Sequence, residues 1–561
     1  MQAAASRFAR ALESGWNPWI ALSLVYVAAF AAMALRGFSL GFHGDVLDYH
    51  YHYHFDGLIG GMNWLVTEHW QRHLLGALFS APLHALAPDR YDLWYALALA
   101  AHFAVGLAVF LLVDALQGGE RRWLALGISL LFVFDPLQTP STLGFATGTH
   151  RKAALLLALL ALWSYLRFVR GRRQQLAWYS LNIACFGAAL MIYEQSIFFF
   201  LLQPLIACIE DRRLGTSSAS RSYLWQIALD AALPVAFAGL YIYLLLILFP
   251  GGNSNLVLSP EHISRQFADA LVLLFSPLDY VGRLGAAAAL SRFWLLSLLA
   301  LGLAGIFGSC LWFAPRSNAQ AIAWTPAWLA VFGLLLTILN IAGTAPTHWV
   351  YRGHERLLYA SSVGSAMLIL CLLAWLHGRH RRVGGALILA YLALTLAPGI
   401  SFVYEQQAIL RAEDEASSRV IDAIVEAIPE FAPEARPYLL LVSDADPQSE
   451  LALHPGDVRF PYLFALRYGI RDFRADALLH DHAEKYPTMG SLKMTEAGII
   501  SPLSPHEVIA YERVIIVAYD SDSDSAQVLE RIPEAALRKA NVIKESAAVL
   551  ETNWSLLPNQ G

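Results

Sequence analysis

The run DLWYALALAAHFAVGLAVFLLVDA, residues 92–115, decides the fold class. Its acidic residues, Asp92 and Asp114, stand at its ends, and the interior carries no Asp, Glu, Lys or Arg. A bilayer core of about 30 Å needs roughly 20 such residues in a helix. Ten further runs read the same way: 16–36, 123–138, 152–169, 176–193, 195–209, 223–249, 292–314, 323–343, 358–377 and 384–404. The expected architecture is an α-helical polytopic membrane protein of about eleven spans. The first run begins near Trp16 and is long enough to span, so it reads as a retained helix and not a cleaved signal. The stretch 267–290 is broken by Pro277, Asp279, Gly282 and Arg283 and reads as interfacial or re-entrant.

Composition agrees. Apolar types make up 57% of the 561 residues, charged types only 15%, and mean hydropathy is +0.48. Soluble domains carry about 25% charge, so an ordinary soluble enzyme, a disordered chain, collagen and a coiled coil are all excluded. The four cysteines (Cys185, Cys208, Cys310, Cys371) lie in apolar runs and suggest no disulfide framework.

Charge divides the chain in two. Residues 1–404 hold 25 Lys/Arg against 18 Asp/Glu, and residues 405–561 hold 14 against 26. The expected domains are therefore a cationic membrane region, 1–404, and an acidic α/β domain, 405–561. With the N-terminus inside, the short inside segments carry 15 positive charges, among them Arg121, Arg122, Arg170, Arg172, Arg212, Arg379 and Arg381. The opposite loops hold 8. The positive-inside rule then places the acidic domain outside, and in a bacterium that is the periplasmic face of the inner membrane. In the tail, Tyr438–Val442 and Val514–Ala518 read as buried strands, and Ala408–Ile428, Tyr462–Tyr468 and Ala526–Ala540 as helices.

Polar side chains gather in the outside loops. The first, 37–91, contains Gly44-Asp45-Val46-Leu47-Asp48-Tyr49-His50-Tyr51-His52-Tyr53-His54-Phe55-Asp56, followed by Trp70 and Arg72. Carboxylates suit a general base, aromatic rings suit sugar faces, and Arg offers a fork of donors to phosphate. An interfacial aromatic belt explains the same composition about as well. His50, His52 and His54 would share one face of a strand, an arrangement with some metal-binding character. The acidic run Asp520–Asp524 lacks the glycine and glutamate of a calcium loop and reads as a solvated turn. No Walker loop or dinucleotide fingerprint is present.

An acidic motif just after the first span, a many-span core and an outer C-terminal domain together resemble the GT-C superfamily of glycosyltransferases. Asp45-Val46-Leu47-Asp48-Tyr49 is similar to that family's acid-x-x-x-aromatic pattern, and Asp48-Tyr49-His50-Tyr51-His52 fits a second variant nearly as well. There is no adjacent acid pair at 45–46, so both Asp45 and Asp48 stand as the catalytic base. The resemblance implies a sugar moved from a polyprenyl-phosphate carrier to an acceptor hydroxyl on a glycan, lipid or protein, with inversion. Membrane lipid is the expected surrounding and nucleic acid no partner. Tyr49, His50, Trp70 and Arg72 would bind substrate. Some members hold a divalent cation (Mg or Mn) with carboxylates and others use none, so no cofactor is required.

The same resemblance implies that basic residues near the fourth span hold the carrier phosphate. Arg151 and Lys152 stand there, and Lys152 is the only lysine in residues 1–404. Interfacial anchoring explains them equally well. Glu194, between two apolar runs, would face the site, because a charge at that depth is costly unless it is paired or faces a polar cavity. In Thr344–Tyr359, Arg352 and His354 are the expected substrate contacts, with a loop salt bridge of Glu355 as the alternative. A lipid-linked glycan flippase, or an O-antigen-type polymerase or ligase, would share the membrane region. The one-sided gathering of polar residues disfavours transport, and the size of the outer domain disfavours the polymerase or ligase.

Overall fold

The computed structural model describes residues 45–65, 90–135, 145–171, 176–214, 257–275, 325–346, 355–432, 436–443, 459–479, 492–501 and 506–557, less a few positions inside these ranges, together with scattered single residues. The chain forms two units. The first comprises 1–38 and 62–407, the second 39–61 and 408–561. The second unit joins a segment from the first outer loop to the tail.

In chain order the helices begin with α1 (Asp45–Trp64), α2 (Tyr91–Leu116), α3 (Arg122–Val133), α4 (Phe145–Arg170), α5 (Leu176–Ile192) and α6 (Gln203–Leu214). They continue with α7 (Pro260–Phe275), α8 (Pro326–Thr344), α9 (Ser361–Arg379) and α10 (Arg381–Ala427). Five of these, α2, α4, α8, α9 and α10, are long and apolar enough to cross a membrane. The expected spans 16–36, 223–249 and 292–314 lie outside the described residues. The expected span 195–209 is broken. A 3-10 turn (Glu194–Ser196) and a short helix (Ile197–Phe200) precede α6, whose second residue is Pro204. Proline disfavours helical geometry in the residue before it, so the chain starts a new helix there. Within 267–290, residues up to Phe275 belong to the 16-residue helix α7, which buries Gln266, Ala270, Leu273 and Leu274.

Two features lock the first unit. Helices α8 and α9 meet at Gly333 and Gly364, where a Cβ on Gly333 would lie 2.7 Å from the Gly364 carbonyl oxygen. Small residues permit this approach, as membrane helix pairs require. At the far end of α4, Arg170 donates to both carboxylate oxygens of Glu210, at 3.1 and 2.9 Å. It also donates to the last carbonyls of α2, Ala115 and Leu116. Glu210 is fully buried, so the pair holds three helices through desolvated charge.

The second unit is built on a four-stranded sheet of order β2-β1-β5-β6. Strands β1 (Tyr438–Ser443), β2 (Arg474–Leu479) and β5 (Val514–Asp520) run parallel, and β6 (Ser525–Leu529) pairs antiparallel with β5. Helix α11 (Arg459–Tyr468) makes the β1–β2 crossover. Strands β3 (Leu492–Thr495), β4 (Gly498–Ile500) and β7 (Val542–Lys544) form a second sheet of order β4-β3-β7. Side chains alternate across a strand. Leu439 and Leu441 therefore enter the core with Val420, Ile424 and Phe464. Tyr438 and Leu440 enter the opposite core with Met494, Ile499 and Leu550. Both expected strands are present, with slightly longer ends.

Two tail expectations need correction. Residues 526–540 do not form one helix: β6 occupies the first part, and α12 (Glu534–Lys539) starts just after Pro533. The acidic turn at 520–524 closes a β5–β6 hairpin whose pairing outweighs the helix propensity of Ala526 and Gln527. The expected helix 408–428 is the end of α10, continuous with the span before it, because residues 405–412 contain no glycine or proline.

Asp476, on β2, is 2% exposed and accepts a 2.8 Å hydrogen bond from the Tyr438 hydroxyl. Burial pushes its carboxyl from the usual 3.8 up to about 6, against the lowering effect of hydrogen bonds from Ser501 and Tyr438. The folded domain keeps a proton that the unfolded chain releases. Its stabilising contribution is complete below about pH 4 and is lost as pH rises through about 6, at most about 3 kcal/mol. Thermal unfolding of the whole protein should show this loss, and Asp476→Asn should remove it. An unchanged pH slope in the variant contradicts the assignment. Separately, Arg170→Ala should destabilise the first unit by about 3 kcal/mol, since it strands Glu210 without its partner. A melting temperature equal to the parent's in detergent would show that the pair holds nothing.

Candidate functional site

The expected acid–aromatic loop is a helix. Residues 45–64 form α1, kinked where Gly57 adopts φ 68°, a left-handed conformation that glycine tolerates best. The strand reading of His50, His52 and His54 is thereby overturned, because a helix advances about 100° per residue. His50 and His54 lie together, ring centroids 6.1 Å apart. His52 turns elsewhere and pairs through Nδ1 with Asp56 at 3.0 Å. Among the described residues no group of three His, Cys, Asp or Glu side chains is arranged to hold a metal ion.

Within the second unit, α1 up to Gly61 packs on the α/β core. Tyr51 belongs to the same core cluster as Leu439 and Phe464 and stacks on Tyr462 at 4.0 Å. Its hydroxyl donates to the Arg471 carbonyl, and the Arg471 guanidinium pairs with Asp56 at 2.5 Å. Tyr49 and His50 are buried and Asp48 is half-buried. Asp45 lies in the first turn of α1, with its side chain outside the described residues, as are Trp70, Arg72, Arg352, His354 and the Glu194 side chain.

Within the first unit lies a small, partly open cavity, lined in part by Arg151, Tyr193, Gln195, Ser196, Asn340 and Tyr359. Arg151 is supplied by the second turn of α4, with its guanidinium 5.3 Å from the centre of the Tyr193 ring. Its Nε and Nη1 are buried and have no hydrogen-bond partner among the described residues. Arg170 stands 19 residues further along α4, about 28 Å at the helical rise, close to the hydrocarbon thickness. The two arginines therefore mark opposite ends of a membrane-spanning segment. The break between α5 and α6 brings Gln195 and Ser196 to the cavity.

Lys152 is fully buried and donates to the Ala98 carbonyl at 3.1 Å, on α2. It is not among the cavity's lining residues. Leu357, Tyr359 and Ala360 also line the cavity. Asn340 and His102 were not singled out in the sequence. Each is a polar residue inside an apolar run, which is the signal that could have found them. His102 lies behind Tyr359: its Nδ1 is 2.9 Å from the Tyr359 hydroxyl and its Nε2 3.0 Å from the Val133 carbonyl.

No protein-family model and no curated protein matches the chain. Among solved structures the chain is similar to ArnT from Cupriavidus metallidurans, a GT-C glycosyltransferase, in two crystal structures. The apo state pairs at 13% identity over 90% of this chain and 93% of that one, with TM-score 0.37. The state bound to undecaprenyl phosphate pairs at 14% over 91% and 94%, with TM-score 0.33.

If α1 is an integral part of the second unit, Tyr51→Ala should destabilise that unit by about 3 kcal/mol. Hydrogen exchange should then quicken together in 45–61 and in β1, β2 and β5. Faster exchange confined to α1 would show that the helix is only peripheral.

Proposed function

We propose that the protein is an integral-membrane glycosyltransferase of the GT-C kind, taking a sugar from a polyprenyl-phosphate carrier. The observation that supports this most is half-buried Arg151, at one end of a spanning helix, whose Nε and Nη1 are buried without a hydrogen-bond partner among the described residues. An unpaired cation in low dielectric is costly. A phosphate offers the planar fork its best partner, and a lipid carrier would bring that phosphate to this depth. The undecaprenyl phosphate bound by the Cupriavidus metallidurans protein names the carrier to test first.

In the proposed reaction the acceptor hydroxyl oxygen attacks the anomeric carbon in line as the bond from that carbon to the phosphate oxygen breaks. The phosphate leaves with the electron pair, and Arg151 stabilises its growing charge. Asp45 or Asp48 takes the hydroxyl proton. The anomeric centre inverts and no covalent enzyme intermediate forms. The acceptor is a hydroxyl on a glycan, lipid or protein. The C-terminal domain faces the periplasm of a multi-pass inner-membrane protein, as the loop charges suggest.

Purified protein given a panel of undecaprenyl-phosphate sugars and cell-envelope acceptors should release undecaprenyl phosphate. Arg151→Gln should lower kcat about 100-fold or more. Either Asp45→Asn or Asp48→Asn should stop turnover while leaving the unfolding temperature near the parent's. Full turnover in Arg151→Gln, or in both aspartate variants, would refute the respective roles.

A further inference from the structure

Two spanning helices of the first unit end alike. Helix α4 carries Trp163-Ser164-Tyr165-Leu166-Arg167, and α9 carries Trp375-Leu376-His377-Gly378-Arg379. In each, the arginine follows the tryptophan by four residues, the spacing that puts both side chains on one face of a helix. Each guanidinium lies over the indole, 5.2 Å from the Trp163 ring centre and 4.2 Å from that of Trp375. The same spacing recurs at Trp312 and Arg316, at the end of the expected span 292–314, outside the described residues.

Both pairs stand at the same end of the unit. Arg170, just past Arg167, donates to the last carbonyls of α2. Helix α3 starts at that end too, where Arg122 reaches back to Asp114 of α2 at 3.5 Å. The His102 ring joins the Tyr359 hydroxyl, just before α9, to the Val133 carbonyl, at the close of α3. Helix α9 therefore starts where α3 finishes and runs back to the end where α4 finishes. That is the face opposite Arg151.

Arg167 and Arg379 are exposed, and neither has an ion-pair partner among the described residues. Trp375 is exposed, and half-buried Trp163 meets Trp178 of α5 edge-on at 5.3 Å. Indole rings favour the membrane interface, so each pair holds a cation at head-group depth. A guanidinium lying flat on an indole keeps its N–H edge turned outward, ready for two phosphate oxygens. We infer that these Trp–Arg pairs bind the phosphodiester head groups of anionic phospholipids in the leaflet away from the cavity. Charge selects the lipid: a choline head group sets its own cation beside the arginine, and a glycerol head group does not. Stacking holds each arginine in place before the lipid arrives, which lowers the entropic cost of binding. The inference stands apart from the carrier reading, which concerns the opposite face.

The test is native mass spectrometry of the whole protein in detergent, titrated with phosphatidylglycerol or phosphatidylcholine. The parent should bind phosphatidylglycerol about tenfold more tightly. Arg167→Gln and Arg379→Gln should each weaken the site they alter about fivefold for phosphatidylglycerol and leave phosphatidylcholine unchanged. Arg167→Lys with Arg379→Lys keeps both charges but loses the flat stack and the fork, and should weaken phosphatidylglycerol nearly as much. Trp163→Leu with Trp375→Leu keeps both arginines and should also weaken it. Lysine variants that bind like the parent would reduce the effect to general charge attraction and overturn the inference. Equal affinity of the parent for the two lipids, or no binding of either, overturns it as well. Each of these outcomes leaves the carrier reading intact.

Discussion

The site is governed by the cost of holding, inside a helical bundle, a guanidinium whose Nε and Nη1 have no hydrogen-bond partner among the described residues. Water cannot reach the buried nitrogens of Arg151, and Tyr193 offers only the face of its ring. A cation–π contact supplies roughly 1 to 2 kcal/mol when desolvated, less than a charge-assisted pair. The contrast with Arg170 on the same helix is instructive. Arg170 has Glu210 and two helix-terminal carbonyls, so its charge is spent on architecture. Arg151 sits on the same helix, and its Nε and Nη1 have no hydrogen-bond partner among the described residues. One helix thus carries a structural arginine at one end and a receptive one at the other.

The second unit changes the meaning of the acid–aromatic motif. Its residues are a helix rooted in the α/β core through Tyr51, Phe55 and the Asp56–Arg471 pair. Asp48 therefore rides on an element whose position is set by residues more than 400 places later in the chain. Gly57 kinks that helix a few residues before the second unit's segment ends at Gly61.

Much of the membrane region was legible because hydropathy reports burial in lipid directly. The runs at 92–115, 152–169, 323–343 and 358–377 all appear as long apolar helices. Arg151 was legible for the same reason, as a charge beside an apolar run. The helix α1 was not. His-x-His-x-His alternates with the period of a strand, and the tertiary contacts that favour a helix lie in the distant tail. The break before Pro204 was masked by an apolar run that continues on both sides. Lys152 and Arg151 are adjacent and chemically alike, and only the helix geometry sends one to the Ala98 carbonyl and the other to the cavity. Asn340 and His102 each carry a single polar side chain inside an apolar span, and their partners could not be read without the fold.

The most direct measurement is an experimental structure of the protein in a lipid nanodisc loaded with undecaprenyl phosphate. Head-group density is expected within about 3 Å of Arg151 Nε and Nη1, with the prenyl chain leaving between helices toward lipid. A head group bound elsewhere, with Arg151 turned to a carboxylate of the protein, would contradict it.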